Sequence, residues 1–381
     1  MNLEDIRKEI DGIDRELMQL FFRRMEVVKE VANYKIANGL PVLDKKREEK
    51  KLNDLIAGVP KEMTQYAHTL MDMLFQLSRN YQNAQMNNHH ELYDEIKDAI
   101  QNTPQLFPSV AKVACQGLEG AYAHQACQRL FKHPSAMYFQ NFEGVFSAIE
   151  AGLCDYGVLP LENSTAGSVN KVYDLMMGRN FKIVKSLRLK IDHCLLVKKG
   201  VKLENVKTIV SHEQAIGQCS NFLSKLDKDV KVIPVANTAI AAEMVANSDR
   251  EDIAAIASHV CASTYGLEQI QSDIQDRGNN YTRFICISKN LEIYPGADRT
   301  SIMMILPHRP GSLYKTLSRF YSLGINLNKL ESRPIPQRDF AFMFYFDLET
   351  SVYSQEFAIL MDSLKQEAEE FEYLGSYLEV I

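Results

Sequence analysis

The chain has little of what marks nucleic-acid-binding or membrane proteins. It carries 43 lysines and arginines against 49 aspartates and glutamates, a net charge of −6 with no basic block, so its charge does not favour nucleic acid as a partner. No run of about 18 apolar residues occurs, and the sequence does not open with a basic and then apolar leader. These absences predict a cytoplasmic protein without a membrane segment.

Metal-ligand spacing is missing as well. The seven cysteines lie in apolar or helical contexts in the central part of the chain, and the nine histidines form no zinc pattern. Cys194 follows His193, which could suggest a thiolate and its base, but adjacent strand residues point to opposite faces. We therefore expect reduced core cysteines and no metal.

The length of the chain indicates more than one domain. At 381 residues, with 46% hydrophobic and 24% charged residues, it has an ordinary globular composition and exceeds the usual size of a single domain. An Asn-rich stretch, residues 83–90, is predicted to be a linker, followed by a short amphipathic helix at 91–101 and the segment Pro104–Pro108. Two or three domains are expected.

The N-terminal segment has a long apolar helical stripe with two cations in it. The stripe consists of Leu3, Ile6, Ile10, Ile13, Leu17, Leu20, Val27 and Val31. Arg24 shares this face, where a charge needs an anionic partner. Lys35 follows about 16 Å further along the axis, within roughly 20° of the same azimuth. Both cations could therefore converge on one small anion.

Two further helices add polar side chains to this pattern. After the Asn38-Gly39 stop, a helix opening at Asp44 places Arg47 and Glu48 on the same face as Asp44. A helix entered at Pro60 carries Ser78 and Gln82 four residues apart. Any one of these side chains is explained as solvated or snorkelling. Together they indicate a ligand cage.

The segment from Asn2 to Gln85 resembles the all-helical chorismate mutase family. The residues that carry the resemblance are Arg7, Arg24, Lys35, Asp44, Arg47, Glu48, Ser78 and Gln82. One alternative register remains for the third helix, in which a shift of four would substitute Gln82 and Met86. The resemblance implies that chorismate rearranges to prephenate without proton transfer or a covalent intermediate, so the protein has to hold shape and place charge.

The resemblance also implies roles for these residues. Arg7 and Arg24 or Arg47 would clamp the substrate carboxylates, while Lys35 and Gln82 would donate to the ether oxygen as negative charge builds there. The two carboxylates of the set would hold the ring hydroxyl or steady the cations.

Arg7 cannot serve the same site as Arg24 within one chain. The two residues lie about 25 Å apart along one helix and roughly 100° around it. Arg7 therefore serves a site on another chain, or none. The family pairs its first helices in an antiparallel dimer, in which the N-terminal arginine completes the partner's site, which implies a homodimer or higher homo-oligomer with shared mutase sites.

From Lys112 the pattern changes to short apolar strands followed by helices. Strands are predicted near Val113–Cys115, Tyr156–Pro160, Thr208–Ser211, Val232–Val235, Ile253–Ala257 and Phe284–Ile287. This alternation predicts α/β lobes with mostly parallel sheets. Small polar residues follow three of the strands, at Glu162-Asn163-Ser164, Ser211-His212-Glu213-Gln214 and Asn237-Thr238. Capping explains any one of these turns, whereas three converging turns favour an anion site.

This central segment, Cys115 to Asn290, resembles a prephenate dehydratase domain. The motifs are Gly117 to Ala126, Pro160-Leu-Glu-Asn-Ser, Asp192-His-Cys-Leu-Leu, Ser211-His-Glu-Gln and Asn280-Tyr-Thr-Arg-Phe284. The resemblance implies two lobes like those of periplasmic binding proteins, a site in the cleft, and strands around 186–197 that cross between the lobes. Closure of the cleft would exclude water.

The implied reaction removes carbon dioxide and hydroxide from prephenate and yields phenylpyruvate. Thr282 is the residue tied to the leaving hydroxyl, as a proton or hydrogen-bond donor, and Arg283 is expected to clamp a substrate carboxylate, with a structural ion pair as its alternative. The candidates for ordering Thr282 are Glu162, Asn163, Ser211 and Gln218. Ser164, Asn237 and Thr238 complete the predicted substrate-binding set, and His212 is weighed as a general base but favoured for packing.

The last segment reads as a βαββαβ ferredoxin-like unit. The predicted strands are Ser301–Leu306, Ile325–Arg333, Phe340–Leu348 and Tyr373–Ile381, with helices at Ser312–Leu323 and Ser354–Glu369. The segment resembles an ACT regulatory domain of the phenylalanine-sensing type. The expected effector residues are Gly311, Ser312, Leu313, Glu331, Ser332 and Arg333. The resemblance implies that phenylalanine binds where two such domains pair and favours a less active state.

The complete pattern predicts a bifunctional chorismate mutase and prephenate dehydratase, inhibited by L-phenylalanine and without metal or organic cofactor. The expected domains are 1–86 (mutase helices), 87–110 (linker), 111–290 (dehydratase) and 298–381 (ACT). Two alternatives stay open. One is a phenylalanine or prephenate sensor with decayed catalytic parts, and the other is an enzyme that retains only one activity. Intact Arg24, Lys35, Gln82 and Thr282 argue against the sensor.

Overall fold

The computed structural model describes residues 2–85, 91–335, 338 and 341–381. The chain forms two compact units. Unit 1 holds the residues up to Asp94 together with Gln355–Glu367, and unit 2 holds Glu95–Ser354 together with Ala368–Ile381. Within the described ranges no helix is long and apolar enough to span a membrane, and no group of three or more His, Cys, Asp or Glu side chains could hold a metal ion.

Unit 1 is built from helices. Its N-terminal part contains α1 (Leu3–Ala37), α2 (Lys45–Ile56), a 3-10 turn (Lys61–Met63), α3 (Thr64–Gln85) and the start of α4 (Glu91–Asn102). Helix α1 ends at Asn38, where Gly39 adopts a φ of 62°, and the Asp44 side chain accepts a hydrogen bond from Arg47 N at 3.1 Å to begin α2. The predicted stop and start are therefore confirmed. Residues 86–90 of the predicted linker, with Met86, lie outside the described residues.

Unit 2 contains two α/β lobes. The first lobe and the strand that leaves it contain β1 (Val110–Gln116), α5 (Tyr122–Leu130), β2 (His133–Phe139), α6 (Phe142–Glu150), β3 (Tyr156–Asn163), β4 (Gly167–Ser168), α7 (Asn170–Met176) and β5 (Lys182–Lys190). Then follow β6 (Cys194–Val197), a 3-10 turn (Leu203–Asn205), β7 (Thr208–His212), α8 (Glu213–Gln218), α9 (Ser220–Leu223), β8 (Lys231–Val235), α10 (Thr238–Asn247), β9 (Ile253–Ala257), α11 (His259–Tyr265), β10 (Glu268–Gln271) and β11 (Tyr281–Ser288). All six predicted strands are present.

The remaining elements run in the chain order βαββαβ and end with a short extra strand. They are β12 (Arg299–Ile305), α12 (Ser312–Ser322), β13 (Asn326–Pro334), β14 (Phe342–Glu349), α13 (Gln355–Glu367), β15 (Glu370–Tyr377) and β16 (Glu379–Val380). The four longer strands form an antiparallel sheet in the order β13-β14-β12-β15, which is the strand order of a ferredoxin-like unit.

Both lobe sheets are mixed rather than mostly parallel. The first has the order β16-β5-β11-β3-β1-β2, with β4 beside β3, and the second has the order β10-β6-β9-β7-β8. The chain crosses between them twice, from β5 to β6 and from β10 to β11. Strand β11 runs antiparallel to both β3 and β5, and β6 runs antiparallel to β9 and β10. The prediction missed this because the crossings bring strands into each sheet from the other lobe.

The predicted last strand is divided between two sheets. Strand β15 ends at Tyr377, and β16 then pairs in parallel with β5 of the first lobe. Gly375 permits the close approach of β15 to β5, because its φ is 138° and a Cβ there would lie 2.4 Å from Ile183 O. Ile183, Met303, Tyr345 and Tyr377 share one buried core. The first lobe and the C-terminal sheet are therefore packed as one body.

The seven cysteines fulfil their predicted structural role. All are free and buried. Cys115, Cys127 and Cys286 lie in one apolar cluster of the first lobe, where burial contributes to raising the pKa of the Cys286 thiol well above its usual range. Such thiols are packing residues rather than nucleophiles.

Candidate active sites

The predicted cage in unit 1 is a pocket of ≈ 490 Å³ between the first three helices. Seven of the eight predicted mutase residues line it, namely Arg24, Lys35, Asp44, Arg47, Glu48, Ser78 and Gln82. Arg7 is exposed near the start of α1 and does not line the pocket. Ser78 and Gln82 of the third helix both line the pocket, and Met86 of the alternative register lies outside the described residues.

Arg24 and Lys35 are held at the pocket by neutral oxygen atoms. Arg24 Nη1 donates to Ser78 Oγ at 2.5 Å and to Leu74 O at 3.2 Å, and Lys35 Nζ donates to Val42 O at 2.5 Å. Burial lowers the pKa of Arg24, an effect that the charge of Glu48 opposes. Burial likewise lowers the pKa of Lys35. These partly desolvated cations favour an anionic ligand.

Two features of the pocket were not predicted. Arg79 forms an ion pair with Glu48, with Nη1 and Oε2 2.5 Å apart, so it orients the carboxylate of α2. Gln82 Nε2 donates to Ser78 O at 3.2 Å, whereas Gln82 Oε1 is buried without a hydrogen-bond partner among the described residues. Arg79 directly follows the predicted residue Ser78 on α3, and this proximity was the only indication in the sequence that Arg79 lies near the pocket. A buried orphan oxygen indicates capacity for a ligand or water donor.

Most of the apolar stripe of α1 is exposed in the single chain. Only Val28 and Ala32 of this helix are buried. The exposed members include Leu3 (63%), Ile13 (59%) and Leu20 (63%). A continuous apolar face of this length is typical of a helix that pairs with another protein surface.

In unit 2, Thr282 lies in a network of amide side chains. Asn163 Nδ2 donates to Thr282 Oγ1 at 2.9 Å and to Asn280 Oδ1 at 2.7 Å. Asn163 Oδ1 accepts from the backbone N–H groups of Thr165 at 3.0 Å and Ala166 at 2.8 Å. Because backbone N–H groups can only donate, the Asn163 amide has one orientation, and Thr282 Oγ1 accepts its bond. The threonine hydrogen is left to donate elsewhere.

Gln218 joins this network from the second lobe. Its Oε1 accepts from Asn280 Nδ2 at 3.0 Å, and its Nε2 donates to Thr165 Oγ1 at 3.3 Å. The structure thus brings together three predicted residues, Asn163, Gln218 and Thr282. It adds Asn280, whose motif was recognised without a role for this residue, and Thr165, which directly follows the Pro160–Ser164 motif and was not predicted.

Four predicted residues lie outside this network and have local structural contacts. Ser211 Oγ donates to Ile256 O at 2.6 Å in the core of the second lobe, and Ser164 Oγ donates to Asn279 O at 2.8 Å. Asn237 caps α10 by accepting from Ile240 N at 2.8 Å, and Thr238 is the first residue of that helix. The ordering of Thr282 by Ser211 is therefore not seen. His212 caps α8 by accepting from Gln214 N, a structural contact that differs from the packing role favoured above.

Arg283 does not join the Thr282 network. Adjacent strand residues point to opposite faces, so Arg283 leaves β11 on the side away from Thr282. Its guanidinium forms ion pairs with Asp347 and, at 2.8 Å, with Glu379, and donates to Tyr377 OH at 3.0 Å. Burial opposes its charge, yet neighbouring Tyr377 and Asp347 raise the pKa of Arg283 above its usual value. The expected carboxylate clamp is thus replaced by the alternative, a structural ion pair.

Glu162 also faces the C-terminal sheet rather than Thr282. Its Oε2 lies 2.9 Å from Lys329 Nζ and its Oε1 lies 3.5 Å from Arg283 Nη1. Although burial alone would raise the pKa of Glu162, Lys329 and Arg283 lower it. Its predicted part in ordering Thr282 is not seen, because alternation along β3 turns Glu162 away from the side on which Asn163 lies.

The two predicted effector segments lie at different places. Ser312 and Leu313 line a cavity of ≈ 210 Å³ together with Leu306, Phe344 and Glu369. Gly311, with a φ of 84°, is the N-cap of α12. Glu331, the acid of the second effector segment, does not line this cavity.

The second segment contacts the first lobe of unit 2. Glu331 Oε2 accepts from Ser168 Oγ at 2.5 Å, and Arg333 forms a bidentate ion pair with Asp174 at 2.9 and 3.0 Å. Ser332 lies between them and is exposed. In this chain, the segment joins β13 to β4 and α7.

Both halves of the chain match known enzyme families. The chorismate mutase type II model matches residues 6–83, and the prephenate dehydratase model matches residues 113–292. A bifunctional chorismate mutase/prephenate dehydratase of Aquifex aeolicus is 33% identical over 377 residues, which cover 98% of this chain and 97% of that protein. The chain belongs to this bifunctional family. It is an enzyme with a chorismate mutase domain and a prephenate dehydratase domain.

Two further relatives each match about 70% of the chain. Arogenate dehydratase 2 of Petunia hybrida is 37% identical over 283 residues, covering 70% of this chain and 71% of that protein. The crystal structure of a prephenate dehydratase from Arthrobacter aurescens in complex with L-Phe is 27% identical, with a TM-score of 0.64, and covers 70% of this chain and 89% of that chain.

Proposed function

We propose that the unit 1 pocket converts chorismate to prephenate and that the Thr282 network of unit 2 converts prephenate to phenylpyruvate. The observation that carries the proposal is the assembly of seven predicted residues around one pocket of ≈ 490 Å³. A second observation supports the dehydratase part of the proposal: Thr282 Oγ1 accepts its hydrogen bond from Asn163 Nδ2, so its own hydrogen is free to donate to a ligand.

The mutase reaction needs positioned charge and no proton transfer. Arg24 and Arg47 bind the two carboxylates of chorismate, and Lys35 stabilises the ether oxygen as the bond to it breaks. Gln82 presents the second donor to this oxygen through Nε2, which carries two hydrogens and uses only one of them for its bond to Ser78 O. Arg79 holds Glu48 so that the acid can accept from the ring hydroxyl.

A second copy of the chain completes this site. The exposed stripe of α1 pairs with the same stripe of the partner, which buries apolar side chains such as Ile13 and Leu20 and brings the partner's Arg7 to the pocket. The support is the exposed fraction of these side chains, 59% and 63%, and the distance along α1 that keeps Arg7 from its own pocket.

In the dehydratase reaction, the substrate loses hydroxide and carbon dioxide, and the ring becomes aromatic. Thr282 Oγ1 accepts a hydrogen bond from Asn163 and donates one to the departing hydroxyl. The hydroxyl leaves as hydroxide and takes its proton from solvent water, so Thr282 keeps its own hydrogen. The electrons of the broken carbon–carboxylate bond enter the ring as the hydroxyl departs. The position of Thr282 is fixed by its network with Asn163, Thr165 and Asn280. None of these three residues has to gain or lose a proton in the reaction.

Phenylalanine binds the C-terminal domain, which we assign as an ACT domain, and inhibits the dehydratase. The cavity of ≈ 210 Å³ offers Leu313 and Phe344 to an aromatic ring and Glu369 to an amino group. The first turn of α12 offers N–H groups to the carboxylate. The L-Phe complex of the Arthrobacter relative supports this assignment.

Paired substitutions test the division of labour. Arg24→Ala removes a cation from the mutase pocket and is expected to lower chorismate turnover at least a hundredfold while prephenate turnover stays within about twofold. Thr282→Ala is expected to do the reverse. Each variant is the control for the other, with both substrates assayed separately. Loss of both activities in either folded variant would contradict separate sites.

A further inference from the structure

His193 occupies the first crossing between the two lobes of unit 2. It is 2% exposed and lies between β5 and β6. Its backbone N–H donates to Gln275 Oε1 at 2.8 Å, and its carbonyl accepts from Ile274 N at 3.0 Å. Both partners belong to the return crossing between β10 and β11. These two bonds hold the backbone of His193, and with it the start of the imidazole side chain, where the two crossings meet.

The side chain of His193 reaches the Thr282 network through Gln218. His193 Nε2 lies 2.9 Å from Gln218 Oε1, and Nδ1 lies 3.4 Å from Tyr122 OH. Tyr122 OH donates to Asp192 O at 2.6 Å. The mechanism proposed above does not use His193, and sequence reasoning considered it only as a partner of Cys194.

The direction of each bond in this network follows from one fixed amide. Backbone N–H groups make Asn163 Oδ1 an acceptor, so Asn163 Nδ2 donates to Asn280 Oδ1, and Asn280 Nδ2 in turn donates to Gln218 Oε1. An amide oxygen cannot donate, so His193 carries its hydrogen on Nε2 and gives it to Gln218. The Gln218 N–H group is thereby turned toward Thr165.

This geometry excludes a general base. Nε2 holds the hydrogen that Gln218 accepts, and Nδ1 faces Tyr122, so neither nitrogen is directed at a substrate. Burial lowers the pKa of His193, although Gln218 and Asp192 oppose the shift. The imidazole is therefore neutral near pH 7, as a fixed single-tautomer donor requires.

We propose that His193 is a positioning residue of the dehydratase. From the crossing between the lobes, its Nε2–H fixes the amide plane of Gln218, which completes the Asn163–Asn280–Thr165 arrangement around Thr282. The inference rests on the proposed dehydratase function. Because Gln218 belongs to the second lobe and Thr282 to the first, the bond also ties the position of the lobes to the order of the network.

The test is a set of His193 variants assayed with prephenate on the full chain. His193→Leu keeps bulk and removes the donor, and is expected to lower kcat about tenfold with KM within about threefold, as for one lost positioning hydrogen bond. His193→Gln places an amide nitrogen at the position of Nε2 and should restore most of kcat. His193→Asn is the matched control, because its shorter amide does not reach Gln218. Chorismate turnover should stay unchanged in all three.

A double-mutant cycle separates positioning from general damage. In a Gln218→Leu background, His193→Leu should have no further effect on kcat, because the group that it orients is gone. A tenfold loss in both backgrounds, full activity of His193→Leu, or equal activity of the Gln and Asn variants would each overturn the inference. If His193→Leu does not fold, the Gln and Asn pair decides. Absence of prephenate turnover in the unaltered protein would instead overturn the proposed dehydratase function.

Discussion

At the scale of residues, Thr282 and Arg283 are neighbours on β11 whose side chains lie on opposite faces of the strand and belong to different networks. Thr282 belongs to the amide network, and Arg283 belongs to a buried ionic cluster with Asp347 and Glu379. A displacement of the C-terminal sheet that moves Asp347 therefore pulls on β11 next to Thr282. The cluster is a physical connection between the C-terminal sheet and the strand that carries Thr282.

Asp347→Asn tests this connection, because it removes one charge without leaving a cavity. Glu162 and Glu379 still face Arg283, so the guanidinium keeps counterions. We expect phenylalanine to bind within about threefold of its normal affinity, while its maximal inhibition of prephenate turnover falls by at least half. The matched variant Glu369→Gln should instead weaken phenylalanine binding about tenfold. Binding is measured by calorimetry, and unaltered inhibition in Asp347→Asn would refute the connection.

The residue scale also shows what the sequence can and cannot predict. Lys35, Ser78 and Gln82 were predictable because helical spacing fixes which residues share a face. The fate of Arg283 was not, since the acids that bind it are 64 and 96 positions further along the chain, at Asp347 and Glu379. Local sequence spacing does not reveal the partners of a residue when those partners lie on a distant strand.

At the scale of elements, α1 both lines its own pocket and carries Arg7 away from it. The exposed apolar stripe includes Ile10 (51%) and Leu17 (52%) between the two ends. Pairing two such helices antiparallel places each N-terminus beside the other chain's pocket. We therefore expect dimerisation and the delivery of Arg7 to the partner's pocket to depend on the same pairing of α1 helices.

Subunit complementation tests that arrangement. Arg7→Ala and Arg24→Ala should each abolish mutase activity alone, but a refolded equimolar mixture should recover about a quarter of it, because half of the dimers are mixed and each mixed dimer has one intact site. Refolded single variants are the controls. No recovery in a mixture shown to contain mixed dimers would contradict sharing, as would full activity of Arg7→Ala.

The contact between β15 and β5 contains a half-buried acid, Glu372, whose charge costs stability. Burial raises the pKa of Glu372 to about 7, and the charge of Lys182 opposes the shift. A raised folded-state pKa means that this group stabilises the fold below its unfolded pKa, near 4.3, and that the contribution is lost as pH rises through about 7.

Glu372→Gln should remove this pH dependence. We expect little change in stability at pH 4.5 and a gain on the order of 2 kcal/mol at pH 8, because the neutral amide is never ionised. Thermal unfolding at the two pH values measures the difference, and Glu251→Gln, at an exposed position, is the control. An equal effect at both pH values would show that the carboxyl does not titrate in this range.

Elements with strong periodicity were predicted well, and elements that join distant parts were not. The helices of unit 1 and the six predicted strands of unit 2 follow from period and turn residues. The division of the last strand at Tyr377 was missed because pairing of β16 with β5 depends on Gly375 passing Ile183. Such a contact exists only in the folded chain.

At the scale of the whole molecule, the product of one domain is the substrate of the next. The mutase yields prephenate and the dehydratase consumes it, so one polypeptide takes a ring ether to an aromatic keto acid. The C-terminal sheet shares a core with the dehydratase lobe through Met303 and Ile183. Inhibition by phenylalanine is therefore expected to act on the second reaction directly.

The most direct test of this account is product analysis after incubation of the purified protein with chorismate alone, with and without phenylalanine. The account predicts that phenylpyruvate forms and that phenylalanine suppresses its formation while prephenate accumulates. Accumulation of prephenate without any phenylpyruvate would confine catalysis to the helices of unit 1. Chorismate left unchanged would contradict the mutase activity, and unchanged prephenate, added to the same protein, would contradict the dehydratase activity and indicate a binding protein instead.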